Sequence, residues 1–320
     1  MGKEVFTNLN INEKYAELLA GAANMALAEN TKSQYRTAAK HIERCALETG
    51  MDMSIPFTVE KTLNYVGYLL ESRKVSSSTA NQYLSAVRML HLCNGYDCAS
   101  LRAPIVALIL KGRAHWDNVQ RTLAKKPQRV AVTLPVMKYI KRRLRSVDWS
   151  PEKKLRVWAS CTLLWGASLR VHELLPREKY TFDKQVTLLM EDLEVIEDTI
   201  DGKKVEIIRI HLKSPKELRI GTGVKIEIFA NQSFLCPSKA LKKWLSEGKK
   251  KLQPGCPVFR TEDGHCYTGA MFNKDLSEIT SPLTDGTDGV IKPHSFRAGL
   301  ATEMGKHGFS DQEIKQQVCL

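Results

Sequence analysis

Helical periodicity is the feature of this sequence that most constrains its fold. Apolar residues recur every three or four positions through the first 118 residues, and no strand-like alternation interrupts them. Five helices are predicted there, over residues 12–28, 31–47, 58–70, 78–92 and 104–110, the last ending near Gly112. Residues 1–118 are therefore predicted to form a small all-α domain.

The periodicity changes in the rest of the chain. Helices are predicted over 133–147 and 150–166, and then residues 205–212 and 224–228 alternate like an antiparallel strand pair. Further helices are predicted over 237–247, 268–279, 295–307 and from Ser310 onward, where Ser310 and Glu313 can form a capping box. Residues 133–320 thus predict an α+β domain of helices around a small antiparallel sheet. Residues 119–132, with Pro127 and no apolar periodicity, predict a linker.

Positive charge is concentrated around that linker. The chain carries 48 Lys and Arg against 35 Asp and Glu, a net charge of +13. Fourteen basic and three acidic residues lie between Lys111 and Arg156, so most of the excess is in this stretch. It is either a solvated helical face or a strip that contacts the phosphate backbone of double-stranded DNA. The predicted DNA contacts are Lys111, Arg113, Arg121, Lys125, Lys126, Arg129, Lys141, Arg142, Arg143 and Arg145.

Several other classes of protein are excluded by the same sequence. Its longest uncharged apolar stretch, residues 157–169, is shorter than the roughly 20 residues of a membrane span. The eight cysteines show no paired spacing for zinc, so reduced structural thiols and no metal site are expected. We expect an intracellular protein.

Four groups in the second domain could contact an anion. Arg170 follows a predicted buried helix, and Glu173 lies three residues on, where it can orient the guanidinium. Lys213 ends a predicted strand. His294 and Arg297 begin a predicted helix and share one face of it. Each alone has an ordinary structural explanation, such as a surface salt bridge or a satisfied histidine.

Together, and in this order, these residues resemble the tyrosine recombinase (phage integrase) superfamily. The resemblance covers nearly the whole chain and rests on Leu169-Arg-Val-His-Glu-Leu-Leu175, Lys213 and His294-Ser-Phe-Arg-Ala-Gly-Leu-Ala-Thr302. The sequence is most similar to recombinases of eukaryotic mobile elements, notably DIRS-type retrotransposons, through Cys236-Pro-Ser-Lys-Ala-Leu and Pro257-Val-Phe. The lysine match is open, since Lys216 is a rival to Lys213.

The resemblance implies an activity and a role for each residue. In this family a tyrosine attacks a DNA phosphodiester to form a reversible phosphotyrosyl link, so no cofactor or metal is required. Arg170 and Arg297 would bind the non-bridging oxygens, with Glu173 supporting Arg170. Lys213 would protonate the leaving 5′ oxygen, and His294 would assist proton transfer or contact the phosphate. The resemblance also implies a nuclear location, to which Lys141–Arg145 adds a basic cluster, and a tetramer on two DNA sites that associates weakly without DNA.

One element of the family pattern is missing from the chain. The family places a His or Trp and then the nucleophilic Tyr shortly after the second arginine's helix. Here the sequence ends at Leu320, and the last of its nine tyrosines is Tyr267. We therefore expect a C-terminally incomplete chain that does not cleave DNA.

Three explanations for the missing tyrosine are open. The chain is a truncated gene model or decayed element, which we favour, or a retained DNA-binding protein that has lost cleavage, or part of a longer polypeptide. A basic RNA-binding or scaffold protein is a further alternative, but the sequence has no RNP aromatic motif, GXXG loop or fixed repeat.

Overall fold

The chain divides into two compact units, Met1–Lys126 and Pro127–Leu320. The computed structural model describes residues 12–25, 29–123, 128–200, 202–213, 223–247, 253–284 and 289–318. The predicted end of the first helix, residues 26–28, lies outside them, as does Cys319. Within the described ranges no helix is both long and apolar enough to cross a bilayer.

Helices are the regular secondary structure of the first unit in its described residues, as predicted. Its helices are α1 (Glu13–Met25), α2 (Glu29–Thr49), α3 (Val59–Gly67), α4 (Ser77–Cys93) and α5 (Pro104–Leu123). The Thr58 side chain accepts a hydrogen bond from the Lys61 amide and caps α3, which continues into a π-helical turn at Tyr68–Ser72. The core contains buried side chains of α2 to α4, among them Ile42, Cys45, Tyr65, Leu69, Leu84 and Val87.

The predicted end of the fifth helix near Gly112 is wrong, because α5 continues to Leu123. A glycine inside a helix costs only about 1 kcal/mol relative to alanine, which other contacts can offset. Here Arg113 forms an ion pair of 2.9 Å with Asp117 one turn later, and Asp117 also accepts the Ser77 amide at 2.8 Å. These contacts support the helix beyond the glycine and join it to α4.

The predicted linker of residues 119–132 is therefore shared between the two units. Residues 119–123 belong to α5, and the far end of the segment folds with the second unit. Gln128–Arg129 form strand β1, and Val132 is fully buried. Lys125 and Lys126 lie outside the described residues, and so does the side chain of Arg121.

The second unit combines helices with a small antiparallel sheet, which confirms the predicted α+β class. Its helices are α6 (Leu134–Ser146), α7 (Pro151–Gly166), α8 (Val171–Leu174), α9 (Pro237–Glu247), α10 (Gly269–Thr284), α11 (Ser295–Lys306) and α12 (Asp311–Val318). Ser150 caps α7 through the Lys153 amide, and Ser310 forms the predicted capping box with Glu313.

Three strands form the main sheet, one more than predicted. The strands β2 (Leu193–Ile200), β3 (Lys203–Leu212) and β4 (Val224–Phe229) pair antiparallel in that order, with Leu193 opposite Ile210 and Ile210 opposite Ile226. Strand β2 was missed because its outer half, with Glu197, Asp198 and Thr199, is polar on both faces. A second, two-stranded sheet pairs β1 in parallel with β5 (Gly289–Val290).

Candidate functional site

Arg170 lies at the junction between α7 and α8. Its backbone amide donates to Glu173 Oε2 at 2.6 Å, and its Nη1 donates to Glu173 Oε1 at 2.9 Å. Glu173 is only 3% exposed, so one buried carboxylate holds both the backbone and the guanidinium of Arg170. The predicted contact between these two residues is present. Ser168, two residues earlier, adopts a φ of 51°, which turns the chain out of α7.

His294 and Arg297 lie at the start of α11, and a short network holds that end of the helix. The Ser295 amide donates to Lys292 O at 2.8 Å, while the Lys292 amide donates to Ser295 Oγ at 3.1 Å. The Val132 amide donates to Ser295 O at 2.9 Å, so the strand segment after β1 runs directly against the helix. Arg297 is 5% exposed. A rigid backbone therefore presents both side chains.

A glycine makes this close packing possible. Gly299 lies one turn into α11, and a Cβ built on it would overlap the backbone carbonyl of Val132, with the Val132 nitrogen at 2.8 Å. The indole Nε1 of Trp165 donates to the same carbonyl oxygen at 2.8 Å, which ties α7 to the segment as well. Elements far apart in sequence thus meet at Val132, just beside the first residues of α11.

Three arginines act electrostatically on His294. Burial lowers the pKa of His294 from its ordinary 6.5, and the positive charges of Arg129, Arg297 and Arg170 lower it further. The imidazole is therefore neutral at pH 7 and can accept or donate a proton. Guanidinium groups that act together on one imidazole form a site suited to the two non-bridging oxygens of a phosphodiester, which share one negative charge. We call Arg129, Arg170, His294 and Arg297 the arginine cluster.

Arg129 is the member of the arginine cluster that sequence reasoning placed elsewhere. The sequence predicts Arg129 in a linker, as a contact to the phosphate backbone of DNA. The pairing of β1 with β5 places it where its charge acts on His294. Two residues of parallel pairing between segments about 160 positions apart leave no periodic signal, so the sequence could not have revealed this position.

Lys213 follows β3 directly, as predicted, but its ammonium is engaged by a carboxylate. Its Nζ lies 2.7 Å from Asp192 Oδ2, and Asp192 was not among the predicted site residues. The rival Lys216 lies outside the described residues, so the choice between the two lysines stays open.

Tyr267, the last tyrosine of the sequence, has a structural role. Its hydroxyl donates to Asp275 Oδ2 at 2.7 Å, and the Arg156 guanidinium lies 4.6 Å from its ring centre. Burial and the charge of Asp275 raise the pKa of Tyr267 well above its ordinary value. A buried, protonated phenol of this kind is a poor nucleophile.

The basic cluster of α6 contains exposed and engaged cations. Lys138, Arg142 and Arg145 are exposed at spacings of four and three, so they share one helix face, which we call the α6 basic face. Lys138 was not among the predicted contacts. In contrast, Lys141 Nζ donates to Phe234 O at 3.1 Å and lies 4.9 Å from the Trp158 ring, and Arg143 is half-buried. Arg142 and Arg145 therefore remain the accessible members of the predicted cluster.

The first unit carries a second set of cations that sequence reasoning missed. Lys32, Arg36, Lys40 and Arg44 recur every four residues along α2, on the side opposite its buried Ala38 and Ile42. The spacing of four is the sequence signal for this set, although its charge density is lower than that of residues 111–156. Of the predicted contacts in this unit, Lys111 is exposed, and Arg113 is paired with Asp117.

The comparisons with known proteins identify the fold. No protein-family model matches the sequence, and no curated protein matches it. Among solved structures, the Tn1549 transposon integrase in complex with transposon right end DNA has 12% identity and a TM-score of 0.53, covering 95% of this chain and 89% of that chain. The lambda integrase dimer bound to a COC′ core site has 14% identity and a TM-score of 0.54, covering 96% and 89%.

A third solved structure agrees with these two. The XerH site-specific recombinase bound to palindromic difH substrate has 12% identity and a TM-score of 0.55, covering 88% of this chain and 69% of that chain. At identities this low, the likeness establishes the fold. The chain has the fold of the tyrosine recombinases, with a helical unit followed by helices around a small antiparallel sheet.

Proposed function

We propose that the protein binds duplex DNA and holds one of its phosphodiesters at the arginine cluster, as a recombinase of the tyrosine type would. The observation that carries this proposal is the convergence of Arg129, Arg170 and Arg297 on the neutral His294. The positive charges of these arginines disfavour the charged form of His294, and the same charges would favour a bound anion. The three neighbours of similar fold were solved with DNA, which adds support.

Each residue of the site then has a chemical role. Arg170, held by Glu173, and Arg297 bind the two non-bridging phosphate oxygens, where planar donors follow charge that develops during substitution. Arg129 adds positive charge beside them. His294 contacts the phosphate or assists proton transfer, and Lys213 protonates the leaving 5′ oxygen once it reaches the site. None of these roles requires a metal.

The cationic surfaces would bind the rest of the duplex. The α6 basic face supplies three exposed cations, and α2 supplies four along a helix of 21 residues, roughly 30 Å at 1.5 Å per residue. An α-helix is narrow enough to fit the DNA major groove, and the cations of α2 would neutralise flanking phosphates. The proposal therefore assigns DNA binding to both units.

A pH titration of His294 tests the proposal directly. In the free protein, NMR should give this imidazole a midpoint below the ordinary 6.5, since burial and three arginines disfavour its charged form. Adding a short duplex should raise the midpoint, because a phosphate among the guanidinium groups stabilises the imidazolium. The signal of His307, at the other end of α11, is the internal reference. A midpoint that DNA leaves unchanged, while the duplex binds, would place the phosphate elsewhere.

We further propose that this 320-residue polypeptide holds the phosphodiester without cleaving it. Its sequence has no tyrosine after Tyr267, and the Tyr267 hydroxyl is buried against Asp275. Incubation with a nicked suicide substrate is expected to give no protein–DNA adduct that survives denaturation, although the same duplex is retained in a mobility-shift gel. A denaturation-resistant adduct would contradict this, and its peptide map would identify the nucleophile.

Three finer points belong to the proposal. The similarity to DIRS-type elements suggests an origin in a mobile element, and the family suggests four protomers on two DNA sites. A nuclear location rests on that origin and on residues 141–145, of which Lys141 is engaged within the protein.

Competition with single-stranded RNA separates this proposal from an RNA-binding function, since only a duplex-binding protein would keep its affinity for DNA in excess RNA.

A further inference from the structure

Asp192 is a buried acidic residue to which the roles proposed above assign no function. It is 7% exposed and ends the 3-10 turn Met190–Asp192, directly before β2. Its Oδ2 accepts the Leu189 amide at 2.8 Å and is also the atom 2.7 Å from Lys213 Nζ. One carboxylate oxygen therefore closes the turn and holds the lysine.

The carboxylate belongs to a well-anchored segment. The Met190 amide donates to Cys256 O at 3.0 Å, and the Val258 amide donates to Leu188 O at 3.2 Å. The neighbouring Glu191 accepts the Gly255 amide, which, with a contribution from the charge of Lys213, lowers the pKa of Glu191. Lys213 thus lies beside two acidic residues fixed to the protein body, and its side chain keeps 21% exposure.

Lys213 interacts with the acidic residues of the neighbouring segment. The positive charges that lower the pKa of His294 are those of Arg129, Arg297 and Arg170 among the described residues. The charge of Lys213 acts instead on Glu191, and its ammonium is paired with Asp192. In this DNA-free state the lysine is therefore held on the sheet, at the end of β3.

We propose that Asp192 is a positioning residue that retains Lys213 until a DNA phosphate displaces the carboxylate. This rests on the function proposed above and adds a regulatory step to it. The pair holds a proton donor at the Asp192 carboxylate in the absence of DNA. A nearly buried carboxylate left without its cation is unfavourable, so release of Lys213 requires a competing anion to bind the ammonium.

The substitution Asp192→Asn tests the proposal, because it keeps the shape and the acceptor for the Leu189 amide but removes the charge. Acetylation of Lys213 by an amine-reactive ester, followed by peptide mass spectrometry, should become at least threefold faster than in the unaltered protein. Glu191→Gln is the matched control and should change the rate less than twofold, since its carboxylate bonds the Gly255 amide. Asp192→Glu, which restores the charge, should return the rate toward that of the unaltered protein.

DNA binding supplies a second readout that a merely structural role would not move. Once DNA is bound, Lys213 contacts a phosphate in both proteins, so the slope of log K against log salt should stay the same. Asp192→Asn should instead bind the duplex at least threefold more tightly than Glu191→Gln, which loses the same charge, because no carboxylate has to be displaced from Lys213. Equal Lys213 acetylation rates in Asp192→Asn and the unaltered protein would overturn the proposal, as would equal duplex affinities of Asp192→Asn and Glu191→Gln. If no form of the protein binds duplex DNA, the proposed function fails instead, while the acetylation rates still decide whether Asp192 retains Lys213.

Discussion

Replacing Gly299 with alanine is expected to lower the free energy of unfolding of the second unit by about 3 kcal/mol, the upper end of the usual cost of overpacking. The new Cβ would overlap the Val132 carbonyl, which cannot move freely. That carbonyl accepts the Trp165 indole, and the Val132 amide donates to Ser295 O. Urea unfolding followed by tryptophan fluorescence measures the change, because four of the five tryptophans, at 149, 158, 165 and 244, lie in this unit.

Gly305→Ala is the matched control on the same helix. A Cβ at Gly305 would meet only Ile314 Cδ1 at 3.9 Å, an ordinary contact. This variant should be neutral or more stable by about 0.5–1 kcal/mol, since alanine costs less backbone entropy than glycine in a helix. Equal stabilities for the two variants would show that the approach of Val132 to α11 does not constrain residue 299.

The substitution Gly299→Ala should also disturb the arginine cluster. Gly299 lies two residues after Arg297, and the displaced strand segment carries Arg129. If the segment shifts away from α11, the charge of Arg129 acts less on His294, and the lowered pKa of His294 moves back toward 6.5. An NMR titration of His294 in Gly299→Ala at low urea checks this, with Gly305→Ala again as the control.

The second large effect is expected from neutralising the α6 basic face. The triple substitution Lys138→Gln, Arg142→Gln, Arg145→Gln removes three exposed cations from a helix with no acidic residue. If all three contact phosphates, the slope of log K against log salt falls in magnitude by about 2.7, and affinity near 0.1 M salt falls roughly 500-fold. Mobility-shift titrations over a salt series measure both quantities.

Equal loss of charge elsewhere is the control for the α6 basic face. Lys184, Lys204 and Lys225 are exposed, and their replacement by glutamine removes the same net charge. That variant should change the slope by less than one.

Arg170→Ala or Arg297→Ala should barely change duplex affinity at low salt, since each removes one of many phosphate contacts. If the two arginine variants abolish binding and the α6 variant does not, the assignment of face and cluster is reversed.

Lys141→Gln should behave differently from its neighbours, although the sequence places it in the same basic cluster. Its ammonium donates to Phe234 O, and Phe234 and Trp158 pack around it. We therefore expect lower stability from this substitution and little change in salt dependence.

Local signals in the sequence were reliable guides to the elements. Ser310 caps the helix that it was predicted to cap, because its hydroxyl bonds an amide three residues away and needs nothing more distant. The Arg170–Glu173 contact was predictable for the same reason. The prediction failed where a distant contact decided the outcome, as at Gly112, where the Asp117–Ser77 bond helps α5 continue to Leu123.

The sequence alone determined the order of the elements, the change from helical to mixed structure and the identity of four candidate site residues, because periodicity, caps and short motifs are encoded within a few residues. Only the tertiary structure decided which cations share a site. It brought Arg129 to His294 through a two-residue strand pair, paired Lys213 with Asp192 and tied Lys141 to Phe234. The reason is physical: charges interact through space, and the separation in space of residues far apart along the chain is set by packing that no local pattern records.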